Sequence, residues 1–137
     1  MMSNKTISVI GLGYIGLPTA AMFASKQRQV IGVDINKHVI DSINAGKIHI
    51  VEPELDLMVK EAVEKGFLEA TFSPQSADAF LIAVPTPFIL EDSENSIPKP
   101  DLTYVESAAK SIAKVLKKGD LVILESTSPV GTTEKMA

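Results

Sequence analysis

Short apolar runs and stretches of helical periodicity take turns along this chain. Ile7–Ile10 is a compact β-branched run, which predicts a buried strand. Tyr14 to about Lys26 reads as a helix, with Ala20, Ala21 and Ala24 as a close-packing face. Gln29–Asp34 (QVIGVD) is a second apolar strand that ends in an acid. Asn36 is placed to cap a helix running to Asn44, with Val39, Ile40 and Ile43 at helical spacing and Gly46 as its stop. A helix from Glu54 to Lys65 follows, closed by Gly66, and Pro53 sits where a missing N–H costs nothing. Phe67–Phe72 predicts a modest strand. Ala79–Val84 (AFLIAV) predicts one buried on both faces.

Between Pro85 and Pro100 the periodicity vanishes in a proline-rich, acidic stretch longer than an ordinary connection. Thr103–Glu106 then spells T-x-x-E, a capping box for a helix to about Lys117, with Val105, Ala108, Ala109, Ile112 and Leu116 on one face. Gly119 stops it, and Leu121–Glu125 (LVILE) is the last strand. Ser128 and Pro129 have the form of an N-cap and first residue of a further helix. Strands alternating with helices imply right-handed crossovers. The fold class expected is α/β: a doubly wound, mainly parallel sheet of the Rossmann type, forming one domain over residues 1–137.

Composition narrows the function classes. The 137 residues are 45% hydrophobic and 22% charged, an ordinary balance for a globular domain. A formal net charge of -4 argues against a nucleic-acid or anionic-membrane surface. There is no cysteine, so this chain holds no disulfide, thiolate metal site or cysteine nucleophile; a reducing cytoplasm fits that usage. His38 and His49 lack partners at metal-ligand spacing, and no metal site is expected. The uncharged run Ile7–Ser25 after Lys5 has the length of a signal peptide or membrane span. Glycines, Pro18 and polar residues break it, and it leads straight into the α/β pattern.

The chemistry concentrates in ISVIGLGYIGLP. Gly11, Gly13 and Gly16 form G-x-G-x-x-G between a strand and a helix, and Asp34 ends the next strand about 20 residues on, which is the dinucleotide-binding arrangement. In that reading Gly11 makes the turn, Gly13 lets a pyrophosphate reach the backbone, and Gly16 allows close helix packing. The amides around Tyr14 and Ile15 face the phosphates at the helix start. Asp34 accepts from the ribose hydroxyls and repels a 2′-phosphate, so the cofactor expected is NAD rather than NADP. Two further strands end in VPTP and ESTSPVGTT, which puts Thr86 and Thr127 at the same sheet edge, as turn residues or as contacts to a nicotinamide.

GLGYIGLP, IHIVEPEL, VPTP, PDLTYVESA and ESTSPVGTT, in this order, resemble the N-terminal domain of the NAD-dependent nucleotide-sugar 6-dehydrogenases, the UDP-glucose and UDP-N-acetylmannosamine dehydrogenase family. The stretches His49–Glu54 and Asp101–Ala137 are most similar to its UDP-N-acetylmannosamine branch. The resemblance implies oxidation of a UDP-sugar C6 alcohol to a carboxylate with two NAD, in surface-polysaccharide synthesis. It implies that Tyr14 and Ile15 meet the pyrophosphate, that Asp34 binds ribose, and that Thr86 and Thr127 lie near the nicotinamide, with Thr127 helping to hold a water at the reaction centre. Glu125 beside it reads as a strand-end residue. The family's catalytic cysteine, lysine and asparagine have no counterparts here, which implies a fragment of a longer, homodimeric enzyme, inactive by itself. UDP-glucose or UDP-N-acetylglucosamine as substrate, or a non-catalytic NAD-sensing module, are the other readings. Asp34→Ala is expected to weaken NAD binding and to narrow the gap between NAD and NADP. Calorimetry with both cofactors measures this, and equal affinities in the unmutated protein would contradict the assignment.

Overall fold

A computed structural model of the chain describes residues 5–49, 52, 54–84, 88–89, 99–100 and 103–125. Its elements run β1 (Thr6–Ile10), α1 (Gly16–Ser25), β2 (Gln29–Val33), α2 (Lys37–Asn44), α3 (Leu55–Glu64), β3 (Leu68–Thr71), β4 (Ala79–Ile82), β5 (Phe88–Ile89), β6 (Lys99–Pro100), α4 (Thr103–Ala113) and β7 (Leu121–Leu124). Five strands form one sheet in the order β3-β2-β1-β4-β7, every pair parallel. This is the doubly wound Rossmann-type arrangement, and the segment Ile7–Ser25 is its first strand, turn and helix. Among the described residues no helix is long and apolar enough to cross a membrane.

The period of two along β1 divides the core. Val9 points into a cluster built with Leu17, Ala20 and Ala24 of α1, Ile40 and Ile43 of α2, and Val59 and Ala62 of α3. Ile10 points to the opposite face, where Phe80, Ile82, Ala108 and Ile112 meet. Thus α1, α2 and α3 cover one face and α4 the other, as strands buried on both sides require. The order in which strands are added reverses between β1 and β4 while the strands stay parallel, which leaves a crevice at their carboxyl ends.

Local signals largely operate as expected. The Asn36 side chain accepts from the His38 amide at 2.9 Å and caps α2. Gly46 and Gly66 take left-handed φ values of +76° and +78° at the ends of α2 and α3. Three departures stand out. Helix α1 begins at Gly16, because Gly13–Ile15 form the turn that leads into it. Helix α4 ends at Ala113, short of Lys117, so Gly119 (φ +94°) shapes the turn into β7 rather than stopping the helix. Inside the proline-rich stretch, β5 and β6 pair antiparallel over two residues each, too short for a period to register.

Asn44 does more than end α2. Its amide donates to the Ala70 carbonyl at 3.0 Å, and its Oδ1 accepts from the Ala70 amide at 2.9 Å. It thereby satisfies backbone groups that the edge strand β3 would otherwise leave open. Ser8, on the α4 side of β1, is fully buried and its hydroxyl has no hydrogen-bond partner among the described residues. An unpaired buried hydroxyl costs free energy that a methyl group does not. Ser8→Ala is therefore expected to raise stability by about 1 kcal/mol in urea unfolding.

Candidate functional site

A cleft of about 980 Å³ opens at the carboxyl ends of the strands. Its floor is Ile10 and the glycine turn Gly11–Ile15; Val33–Asn36 form one wall, and Thr103, Tyr104, Ser107 and Ser111 of α4 form another. The volume lies at the upper end of that usual for small-molecule sites.

Each glycine of the turn has a distinct steric reason. Gly11 has φ +95°, and a Cβ there would sit 2.6 Å from the Ala83 carbonyl oxygen, so the turn is pressed against the end of β4. A Cβ on Gly16 would overlap the Gly11 carbonyl and approach the Ala83 Cβ to 3.3 Å. Close packing at Gly16 is thus chiefly helix start against the turn itself, with the sheet second. A Cβ on Gly13 would meet nothing within 4 Å. That position lines the cleft, and no described residue packs against it. The Tyr14 and Ile15 amides have no hydrogen-bond partner among the described residues, and both residues are exposed. The helix start is left as a ready anion site.

Asp34 is fixed from two sides. Its Oδ2 accepts from the Leu12 amide at 3.0 Å and its Oδ1 from the Asn36 amide at 2.9 Å. Its own amide donates to Thr71 of β3 at 3.1 Å, and the Gly11 amide donates to Val33 at 2.7 Å. The carboxylate is thereby clamped between the glycine turn and the start of α2, with lone pairs remaining for donors in the cleft. Beside it Ile35, 80% exposed, and Phe72, 54% exposed, offer apolar surface suited to a flat heteroaromatic ring.

The structure brings Gly11, Gly13, Tyr14, Ile15 and Asp34 together on the cleft, with Gly16 packed behind them. Thr86 and Thr127 lie outside the described residues. Glu125 is not on the cleft: its Oε1 lies 3.4 Å from the Thr19 hydroxyl of α1, which itself donates to the Ile15 carbonyl at 3.0 Å. Its Oε2 is buried with no partner among the described residues.

Sequence reasoning missed several cleft residues. Tyr104, Ser107 and Ser111 follow the i, i+3, i+7 spacing of one helix face, a signal that was present beside the apolar stripe. Phe72, Pro74 and His49 come from links between elements and carried no periodic signal. Gly32 was also passed over; a Cβ there would press the Leu12 side chain at 2.9 Å, so a bare position in β2 seats the residue whose amide holds Asp34. Among the described residues no group of three or more His, Asp or Glu could hold a metal ion.

The two inner glycines should therefore separate fold from binding. Gly13→Ala is expected to leave thermal stability unchanged or raise it by about 0.4–1 kcal/mol, since the backbone and space allow a methyl group. It should nevertheless weaken ADP binding. Gly16→Ala should cost about 2–3 kcal/mol in chemical denaturation, because backbone must move to admit the methyl group.

Comparison with known proteins agrees with this geometry. The chain is 72% identical over 136 residues to the UDP-N-acetyl-D-mannosamine dehydrogenase of Escherichia coli strain K12, covering 99% of this chain and 31% of that protein. It is 65% identical over 133 residues to an NDP-N-acetyl-D-galactosaminuronic acid dehydrogenase of Ralstonia solanacearum, covering 97% of this chain and 30% of the relative. The solved UDP-N-acetyl-mannosamine dehydrogenase of S. aureus superposes with a TM-score of 0.87 at 42% identity, covering 94% of this chain and 30% of that one. The chain thus spans about a third of the length of these relatives. Residues 5–137 match the NAD binding domain of the UDP-glucose/GDP-mannose dehydrogenase family, and the chain belongs to that family, with NAD as its cofactor.

Proposed function

We propose that this chain is the cofactor-binding portion of a UDP-N-acetyl-D-mannosamine 6-dehydrogenase that works in the cytoplasm as a homodimer. The clamped Asp34 carboxylate beside the bare Gly13 backbone supports the cofactor part of this reading most directly. The 72% identity to a UDP-N-acetyl-D-mannosamine dehydrogenase supports the sugar. Residues 1–137 are proposed to act as one domain.

When bound, NAD supplies a hydride acceptor for the sugar C6 carbon. The residues here bind and orient. Tyr14 and Ile15 donate their amides to the pyrophosphate, and Gly13 keeps its approach clear. Asp34 accepts from the adenosine ribose hydroxyls. Its two amide donors hold the carboxylate in place before a ligand arrives, so little ordering cost remains at binding. A 2′-phosphate would meet that fixed negative charge, which favours NAD. Ile35 and Phe72 cover a face of the adenine. Thr86 and Thr127 are proposed at the nicotinamide end, with Thr127 positioning a water for the second oxidation, from aldehyde to carboxylate. The thiol nucleophile implied for that step has no counterpart in this cysteine-free chain.

Two experiments test this reading. The purified chain is expected to bind NAD in calorimetry yet form no NADH from UDP-N-acetylmannosamine; NADH formation by the chain alone would refute its inactivity. Replacing the matching residues of the E. coli relative with this chain should give a chimera that still oxidises UDP-N-acetylmannosamine. A folded chimera that binds NAD but leaves this sugar unoxidised would count against the sugar assignment.

A further inference from the structure

His49 stands in the link between α2 and α3 and lines the cleft together with the glycine turn and Asp34. Its neighbour Ile48 packs on the core cluster that α1, α2 and α3 share. The two ring nitrogens differ. Nδ1 is sealed from solvent and has no hydrogen-bond partner among the described residues. Nε2 is not among the sealed atoms and bonds to no described residue, and His49 is a lining residue of the cleft, which makes Nε2 the ring nitrogen available to a ligand there. Placing the ring proton on Nδ1 would bury an N–H with no acceptor, the rarer and costlier arrangement. The neutral ring therefore carries its proton on Nε2 and presents a donor to the cleft.

The charges in the cleft give that donor a task. A dinucleotide brings two phosphate charges, Asp34 adds a third negative group, and among the described residues lining the cleft none is Lys or Arg. From this described lining the phosphates would meet neutral donors, whose hydrogen bonds are stronger when the acceptor is ionised. We propose that His49 is an additional cofactor-contacting residue whose Nε2–H donates to a pyrophosphate oxygen, completing from a side chain what the Tyr14 and Ile15 amides begin. This rests on the reading of the cleft as the NAD site.

Calorimetry of His49→Leu, His49→Gln and His49→Asn with NAD, ADP and adenosine tests the assignment. Leucine removes the donor, and the loss of one hydrogen bond to a charged oxygen is expected to weaken NAD and ADP about tenfold while leaving adenosine within about twofold. Glutamine carries its amide nitrogen near the Nε2 position and should restore most of the affinity. Asparagine carries it at the Nδ1 position and should behave like leucine. Should the leucine variant fail to fold, the contrast between glutamine and asparagine carries the test. Unchanged ADP affinity in the leucine or asparagine variant would overturn the proposal, as would an equal loss for adenosine, which would place the contact on the nucleoside. Failure of the unmutated chain to bind NAD or ADP would instead remove the cofactor reading, and this proposal with it.

Discussion

The Asp34 carboxylate holds the site together. By accepting the Leu12 and Asn36 amides it joins the glycine turn to the start of α2 across the gap between β1 and β2. The turn has few other ties. Its outer amides at Tyr14 and Ile15 are open, and Gly11 can sit against Ala83 only because it has no side chain. A carboxylate that already accepts two amide hydrogen bonds is ordered before any ligand arrives. The group that would grip a ribose diol also fixes the distance to the backbone that would meet a diphosphate.

Around that clamp the sheet acts as a partition. Val9 and Ile10 send adjacent side chains to opposite cores, so α1, α2 and α3 form one layer and α4 the other. The cleft lies where the layers part at the strand ends. One side of it presents bare amides, a fixed carboxylate and an imidazole; the other presents the hydroxyls of an amphipathic helix. This asymmetry suits a long ligand with an anionic middle and flat ends.

Buried polar groups mark where packing and chemistry compete. Asn44 spends both ends of its amide on one residue of an edge strand, a structural use complete within the fold. Ser8 has no partner among the described residues and is fully buried on the α4 side. Glu125 reaches α1 through Thr19 and leaves its second oxygen buried, so the end of β7 is tied to the helix that starts at the glycine turn. The sequence offered Glu125 only as a strand end, because the contact spans a separation that no local pattern encodes.

Local order was legible where a short-range rule governs it. The period of β1, the cap at Asn36, the glycines after α2 and α3, and the spacing from Gly11 to Asp34 are each fixed by sterics or hydrogen bonding within a few residues or one crossover, so the sequence alone determined the Rossmann-type sheet and the glycine turn beside Asp34. Tertiary structure decided the rest. Gly16 meets the turn before it meets the sheet, Gly32 makes room for Leu12, α4 walls the cleft with Tyr104, Ser107 and Ser111, and His49 lines the cleft with its Nδ1 sealed from solvent. Those facts depend on which surfaces come within a few ångströms after the strands are laid side by side, and one-dimensional spacing carries no measure of that distance.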